Sequence, residues 1–372
     1  MTYQESTQAL EALKSRLERG EVPVDQVPAV LAEARRIATA GLAHESRVWK
    51  IGGWLAASVP LGSLVFILVV LGHKAWPSVI VNGTHFFTGS AWKPGSTYGT
   101  TVHTHGFAHP AGSSYGAWPL IAGTLQTSAI AVVLAVPISL GAAFALTERL
   151  PGWLSRPLGF AVEILAGIPS VVIGLWGVLT LGPILAQDVY PAIADHMPDV
   201  PVLSYFRNPV GHGEGLLTTG LVLGLMIVPI ITATTCDLFS QVPPLPKEGG
   251  LALGMTDAEV ARRVTLPWVR TGIIGATLLG LGRALGETMA VAMISGAALN
   301  TISPNVFGTM GTIAAAIVTQ LDSSFTDGTG FATSALAEAA VVLVVITVLA
   351  NLVARLIIAR SARHGVPVGR AG

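Results

Sequence analysis

The sequence predicts an all-α membrane protein with six transmembrane helices, and three observations carry that prediction. Of the 372 residues, 51% are hydrophobic and only 11% charged, against about 25% charged in an average soluble domain. Six apolar runs, at 51–72, 120–146, 158–185, 215–235, 269–299 and 333–358, are long enough to cross a hydrocarbon core of about 30 Å at about 1.5 Å per residue. The segments between those runs alternate between rich and poor in Lys and Arg, as they do when these residues are retained on the cytoplasmic side of a membrane.

With the N-terminus inside, the inner segments hold Lys14, Arg16, Arg19, Arg35, Arg36, Arg47, Lys50, Arg149, Arg156, Lys247, Arg262, Arg263, Arg270, Arg355, Arg360, Arg363 and Arg370. The outer segments hold Lys74, Lys93 and Arg207, residues 300–332 hold none, and Arg283 is left inside a span. Seventeen against three places both termini of the multi-pass chain in the cytoplasm. The first run follows fifty polar residues and is longer than a signal-peptide core, so it reads as a span.

The elements follow in order. Residues 1–50 form a cytoplasmic helical extension: Leu10, Leu13 and Leu17 recur at helical spacing before Gly20, and a second helix runs from about Pro28 to a stop at Gly41. Residues 51–118 supply the first span and an outer loop, 119–358 the membrane core with an inner loop at 237–268, and 359–372 a cytoplasmic tail. The third and fifth runs are overlong and carry polar residues, so a tilt or a break is expected in each. Pro169 marks a bend in the third, with Ser170 placed to satisfy freed backbone groups. The loops 186–214 and 300–332 read as turn-rich caps, and Glu338, near the outer end of the last span, as solvated.

Several classes are excluded. Lys plus Arg equals Asp plus Glu, 21 each, so no basic excess points to nucleic acid. A single cysteine, Cys236, allows neither an internal disulfide nor a cysteine-based metal site. His103, His105 and His109, near His85, have no acidic or cysteine neighbour in their loop, so no metal site is assigned. No Gly-x-x-x-x-Gly-Lys-Ser/Thr loop occurs, so the sequence offers no phosphate-cradling loop of its own. An intramembrane hydrolase, the remote alternative, needs a nucleophile with a base, or a zinc pair, and no His lies in any run.

The intramembrane charges are the chemical signal. Arg283 and Glu287 lie four residues apart, which on one continuous helix puts them on one face. A charge at mid-span costs at least about 2.5–3.5 kcal/mol, so it faces the bundle interior or a pathway. A guanidinium offers several N–H donors to an oxyanion. Glu287 can neutralise it when no anion is bound, and its carboxylate can accept a hydrogen bond from an oxyanion that carries a hydroxyl. Glu163, six residues before Pro169, is a further candidate on the path.

The inner loop reads Glu248-Gly249-Gly250, then Gly254, Val264, Leu266 and Pro267. This spacing resembles the EAA loop of type I ABC importer permeases, with Gly249 and Gly250 standing where alanines are usual. The resemblance implies that fold and a role for these residues in coupling to an ATPase. The run Gly282-Arg283-Ala284-Leu285-Gly286-Glu287-Thr288-Met289, with Phe86 to Pro94 and Glu163 to Ser170, is similar to the PstC-type permeases of phosphate ABC importers over about residues 80–358. That likeness implies a heterodimer with a PstA-type permease, a PstB-type ATPase dimer binding ATP and Mg, a PstS-type phosphate-binding protein, and no cofactor in this chain. The alternatives are a permease for sulfate or molybdate, or the PstA-type partner itself.

Overall fold

The computed structural model describes residues 12, 14–15, 19, 23, 27–96, 99–198, 200, 203–207 and 211–363. The first helix expected in the extension, around Leu10 to Leu17, lies almost wholly outside them. Two compact units are present, Met1–Val70 and Leu71–Gly372. The helix α1, Val27–Asn82, runs without interruption, so the stop expected at Gly41 does not occur. A glycine costs only about 1 kcal/mol in a helix, too little to end one whose neighbours all favour it. The apolar side chains of Leu55, Val59 and Phe66 are exposed, a surface suited to acyl chains.

Among the described residues, six helical stretches are long and apolar enough to cross a membrane: Gly52–Asn82, Trp118–Arg149, Ser170–His196, Leu216–Ser240, Asp257–Gly286 and Phe331–Leu356. In the second unit, α2 (Trp118–Phe144) ends in a π turn, Ala145–Arg149. The short helix α3, Gly152–Ala166, precedes the third crossing instead of belonging to it. The chain breaks at Gly167-Ile168-Pro169, where Pro169 has no N–H to donate, and α4 begins at Ser170 and continues through π turns to His196. The third crossing therefore starts twelve residues later than the apolar run does, at 170 rather than 158, and no side-chain hydrogen bond of Ser170 is found there among the described residues.

The central pair is α2 with α5 (Leu216–Ser240). They run parallel, and their register is fixed by small residues: a Cβ on Gly220 would meet Ile130, one on Gly224 would lie 3.4 Å from the Ala131 carbonyl oxygen, and Ser139 Oγ donates to the Val228 carbonyl at 3.1 Å. Between helices in lipid no hydrophobic force acts, so close approach at small residues and interhelical hydrogen bonds hold the contact. Antiparallel to α5 lies α8, Leu266–Gly286, with Gly272 against Leu238 and Gly280 against Ile231 and Ile227. It is entered through α6 (Pro244–Ala252), α7 (Asp257–Val260) and a π turn, Ala261–Thr265. The fifth run also breaks: α8 ends at Gly286, and α9, Met289–Ile294, is a separate buried turn.

At the opposite end, the segment expected to be a turn-rich cap holds α10, Ile313–Ser324. The Thr312 side chain caps it by accepting from Ala315 N–H, and Thr124 Oγ1 of α2 accepts from Ile313 N–H at 3.0 Å. Residues 186–196 of the other expected cap are likewise helical. The loop before α2 holds two small antiparallel sheets, β1 (Trp92–Lys93) with β4 (Ser114–Tyr115) and β2 (Thr101–Thr104) with β3 (Phe107–Pro110). The β2–β3 turn, His105-Gly106, has both φ angles positive, 52° and 85°. His109 is held within it by Thr104 Oγ1 at 2.8 Å and Ser113 Oγ at 3.0 Å.

The last crossing, α11 (Phe331–Arg363), starts from Asp327. Burial pushes that carboxyl up, but donors at Ala332, Thr329 and Phe331 outweigh it and hold its pKa below the ordinary value. Glu338, expected to be solvated, is 3% exposed and accepts a hydrogen bond from Ser78 Oγ at 2.6 Å.

The two glycines of the loop helix α6 differ in surroundings. A Cβ on Gly250 would lie 3.1 Å from Val260 Cγ2, whereas one on Gly249 meets nothing within 4 Å. Gly249→Ala is expected to stabilise α6 by up to about 1 kcal/mol, and Gly250→Ala to gain less or to destabilise by displacing α7. Thermal unfolding of the two variants in detergent checks the order, and an equal gain for both contradicts the close packing of Gly250 on Val260.

Candidate functional site

The depth of Arg283 follows from helix packing. Gly280 sits beside Ile227 and Ile231, at the middle of the 25-residue α5. Arg283 is three residues further along α8, about 4.5 Å beyond that level. It therefore lies well inside the apolar layer, where its side chain is exposed on the surface of the chain. Among the described residues no hydrogen bond or ion pair engages it.

Glu287 does not stack over Arg283. The helix ends at Gly286, and Glu287 turns away with ψ of 124°. The expected pairing on one helix face is thus corrected: Thr288 and Met289 restart the chain as α9, and the half-buried Glu287 side chain is left beside the break. The physical reason is local. Gly282 and Gly286 flank the Arg283 turn, and the cost of glycine is highest where neither burial nor packing holds the helix. A Cβ on either of them would meet nothing within 4 Å.

The two broken crossings meet. A Cβ on Gly174 of α4 would lie 2.8 Å from Ala290 Cα of α9, and one on Gly177 would lie 2.7 Å from Ile294 Cδ1. Ile168, at the first break, and Met293 join Ile173, Ala290 and Ile294 in one apolar cluster. Irregular backbone at membrane depth is tolerated only where protein buries it or water lines it, and in transporters such interruptions mark substrate sites. Glu163 lies on α3, before the first break, and is exposed. No hydrogen bond or ion pair joins it to Arg283 or Glu287 among the described residues.

The loop from Glu248 to Pro267 has a defined geometry. Proline at its start and Gly254 after its end delimit α6. Gly254 has φ of 80°, and the backbone closes through Gly254 N–H to Leu251 O and Met255 N–H to Gly250 O. Thr256 and Glu259 then form a capping box that starts α7. Glu248 is exposed, Val264 faces the Gly250 position at 3.6 Å, Leu266 packs with Phe239 and Val269, and Pro267 lies in the first turn of α8. Leu245, Leu251 and Leu253 are exposed, the last 81%.

Two ion pairs that the sequence does not announce tie this loop to the end of α2. Lys247 Nζ lies 2.5 Å from Glu148 Oε1, with both side chains about one-fifth exposed, and Arg149 Nη1 lies 3.8 Å from Asp257 Oδ2. Their only sequence signal is opposite charge in two inner segments 99 residues apart, which no periodicity links.

A model of the family described as binding-protein-dependent transport system inner membrane component matches residues 135–363. The phosphate transport system permease protein PstC 1 of Mycobacterium tuberculosis is 56% identical over 341 residues, 92% of this chain and 99% of that protein. PstC of Haemophilus influenzae is 40% identical over 297 residues, 80% of this chain and 88% of that one. A solved bacterial alginate ABC transporter, in complex with an alginate pentasaccharide-bound periplasmic protein, shares the fold. It has a TM-score of 0.50 at 16% identity, over 84% of this chain and 98% of that chain. With a family match over more than half its length and this identity to full-length relatives, the chain is a multi-pass membrane protein of the binding-protein-dependent transport permeases, in their PstC group.

Proposed function

We propose that this chain is one of two permease subunits of an ATP-driven importer of inorganic phosphate. The observation that carries the reading is Arg283: a guanidinium at mid-span depth, exposed and unpaired among the described residues, in the last turn of α8 before its crossing breaks at Gly286. Such a charge is stable in the membrane only if a partner subunit, an aqueous path or an anion meets it, and relatives 56% identical over 92% of the chain and 40% identical over 80% of it are named as phosphate permeases. Sulfate or molybdate is the second reading, since a guanidinium alone accepts any of these oxyanions. On this reading both termini are cytoplasmic in the inner membrane. A PstA-type permease faces Arg283, a PstS-type protein delivers phosphate from outside, and a PstB-type ATPase dimer carries ATP and Mg.

The mechanism is alternating access. The exposed leucines of α6 and its turn present an apolar surface to the ATPase, and closure of the ATPase displaces α6 and α7. Since α7, the π turn and α8 form one 30-residue stretch, Asp257–Gly286, the displacement travels along a single rod to Arg283. The Lys247–Glu148 and Arg149–Asp257 pairs carry the same displacement into α2. Arg283 donates to phosphate oxygens during passage, and Glu287, released from the helix, accepts the phosphate hydroxyl. The chain itself binds and moves phosphate and performs no bond-breaking step.

Three outcomes test this in proteoliposomes holding the complete complex. Arg283→Ala is expected to reduce phosphate uptake at least a hundredfold with assembly intact by co-purification, and Arg283→Lys to retain part of it; normal uptake by Arg283→Ala removes the proposed path. Glu287→Gln is expected to narrow the preference for phosphate over sulfate in a competition assay, because an amide still accepts the phosphate hydroxyl but no longer as an anion, and an unchanged ratio rules out that role. Lys247→Glu should leave ATP hydrolysis no longer stimulated by loaded binding protein, with recovery in the Lys247→Glu/Glu148→Lys double variant; equal loss in single and double variants shows that the pair does not transmit.

A further inference from the structure

An open cleft of about 540 Å³ lies between α8 and α11, lined by Gly275, Leu278, Leu279, Gly282, Asn351 and Arg355. We propose that it is a second oxyanion site, on the loop side of Arg283, in which Arg355 and Asn351 hold a phosphate group. This rests on the phosphate-path reading above and extends it to a station between Arg283 and the coupling loop.

Four observations converge. Asn351 and Arg355 are four residues apart on α11, so both project from one face. Neither side chain is engaged by a hydrogen bond or ion pair among the described residues, which leaves an amide and a guanidinium free to donate. The opposite wall is backbone: Gly275 and Gly282 are two helical turns apart, and a Cβ on either would meet nothing within 4 Å. A ligand can therefore approach α8 closely. Finally, the site is placed along the path. Gly275 lies between Gly272, which packs on Leu238, and Gly280, which packs on Ile231, while Gly282 adjoins Arg283 itself.

The chemistry is that of a tetrahedral oxyanion. A guanidinium donates two parallel N–H groups to two oxygens, and the Asn351 Nδ2 group supplies a third donor. At about 30 Å³ per water, the cleft holds the anion with part of its hydration shell. An arginine near a span end ordinarily turns its head out to the headgroups, whereas Arg355 lines a space that reaches Gly282. The phosphate group has two possible sources, transported inorganic phosphate and the headgroup of a neighbouring lipid.

The test uses the complete complex in vesicles of phosphatidylcholine alone and in vesicles containing phosphatidylglycerol, with inorganic phosphate as the probe. Arg355→Met keeps the apolar stem and deletes the charge, Arg355→Lys keeps the charge, and Asn351→Leu removes the third donor. Arg355→Met is expected to lower uptake about tenfold, the value of one charge-assisted hydrogen-bond pair, with partial recovery in Arg355→Lys and a smaller loss in Asn351→Leu. The same loss in both vesicle types assigns the site to transported phosphate. A loss seen only with phosphatidylglycerol assigns it to the lipid headgroup. Wild-type uptake by Arg355→Met and Asn351→Leu in both vesicle types, or equal loss in Arg355→Met and Arg355→Lys, overturns the proposal. Phosphate uptake by the unaltered complex in the same experiment separates failure of this site from failure of the phosphate reading.

Discussion

A positive charge held near the middle of the membrane, without a partner among the described residues of its own chain, constrains everything around it. Arg283 costs several kcal/mol at that depth unless another group meets it, and no hydrogen bond or ion pair from the described residues of the surrounding helices reaches it. The nearest acid in sequence, Glu287, is carried away by the end of α8. Had the helix continued, Glu287 would have lain one turn above Arg283 and closed an ion pair, leaving the guanidinium neutralised and less able to bind an anion. The break leaves the charge exposed, and on the proposed reading its energetic consequence is that a group from outside the chain meets it.

The same constraint explains why the break is tolerable. The freed backbone at Glu287 and Thr288 passes directly into α9, which is buried against α4 immediately after the bend at Pro169. The helices that follow the two interruptions pack on each other, and glycines at 174 and 177 allow their backbones to approach closely. Below the break the architecture is continuous. A single stretch joins the capping box at Thr256 to Arg283, and the crossings beside it are locked in register by small residues, Gly272 and Gly280 on one side of α5, Gly220 and Gly224 on the other. A displacement applied at the loop therefore moves the rod as a body, because side chains packed this closely transmit strain instead of absorbing it.

Much of this is legible in the sequence, and what is not has identifiable causes. Six crossings follow from hydropathy because lipid admits few alternatives to an apolar helix. The loop residues Glu248, Gly254 and Pro267 are legible because proline and a left-handed glycine punctuate helices locally. The start of the third crossing is hidden because apolar α3 runs into apolar α4, and composition alone does not say on which side of Pro169 the membrane begins. The helix α10 escapes because its core is Ala314, Ala315 and Ala316, whose helix propensity is high but whose apolar signal is short and surrounded by Gly, Thr and Ser. The β2–β3 hairpin escapes for the converse reason: His105-Gly106 is an uncommon pair for a turn that needs two positive φ angles.

Glu338 shows how the reading of a lone acid depends on what faces it. Sequence places it seven residues into α11, close enough to the end of the span for a solvated carboxyl. The structure buries it, with Ser78 donating to it and Asn82 donating in turn to Ser78 at 2.9 Å. Ser78 and Glu338 are buried and Asn82 half-buried, and the three polar groups satisfy one another, as buried polar groups must. Arg283 has no such chain of donors and acceptors among the described residues and stays exposed. Of these two ionisable residues, then, the one whose hydrogen bonds close within the chain ties helices together, while the one left open is available to something that comes from outside it.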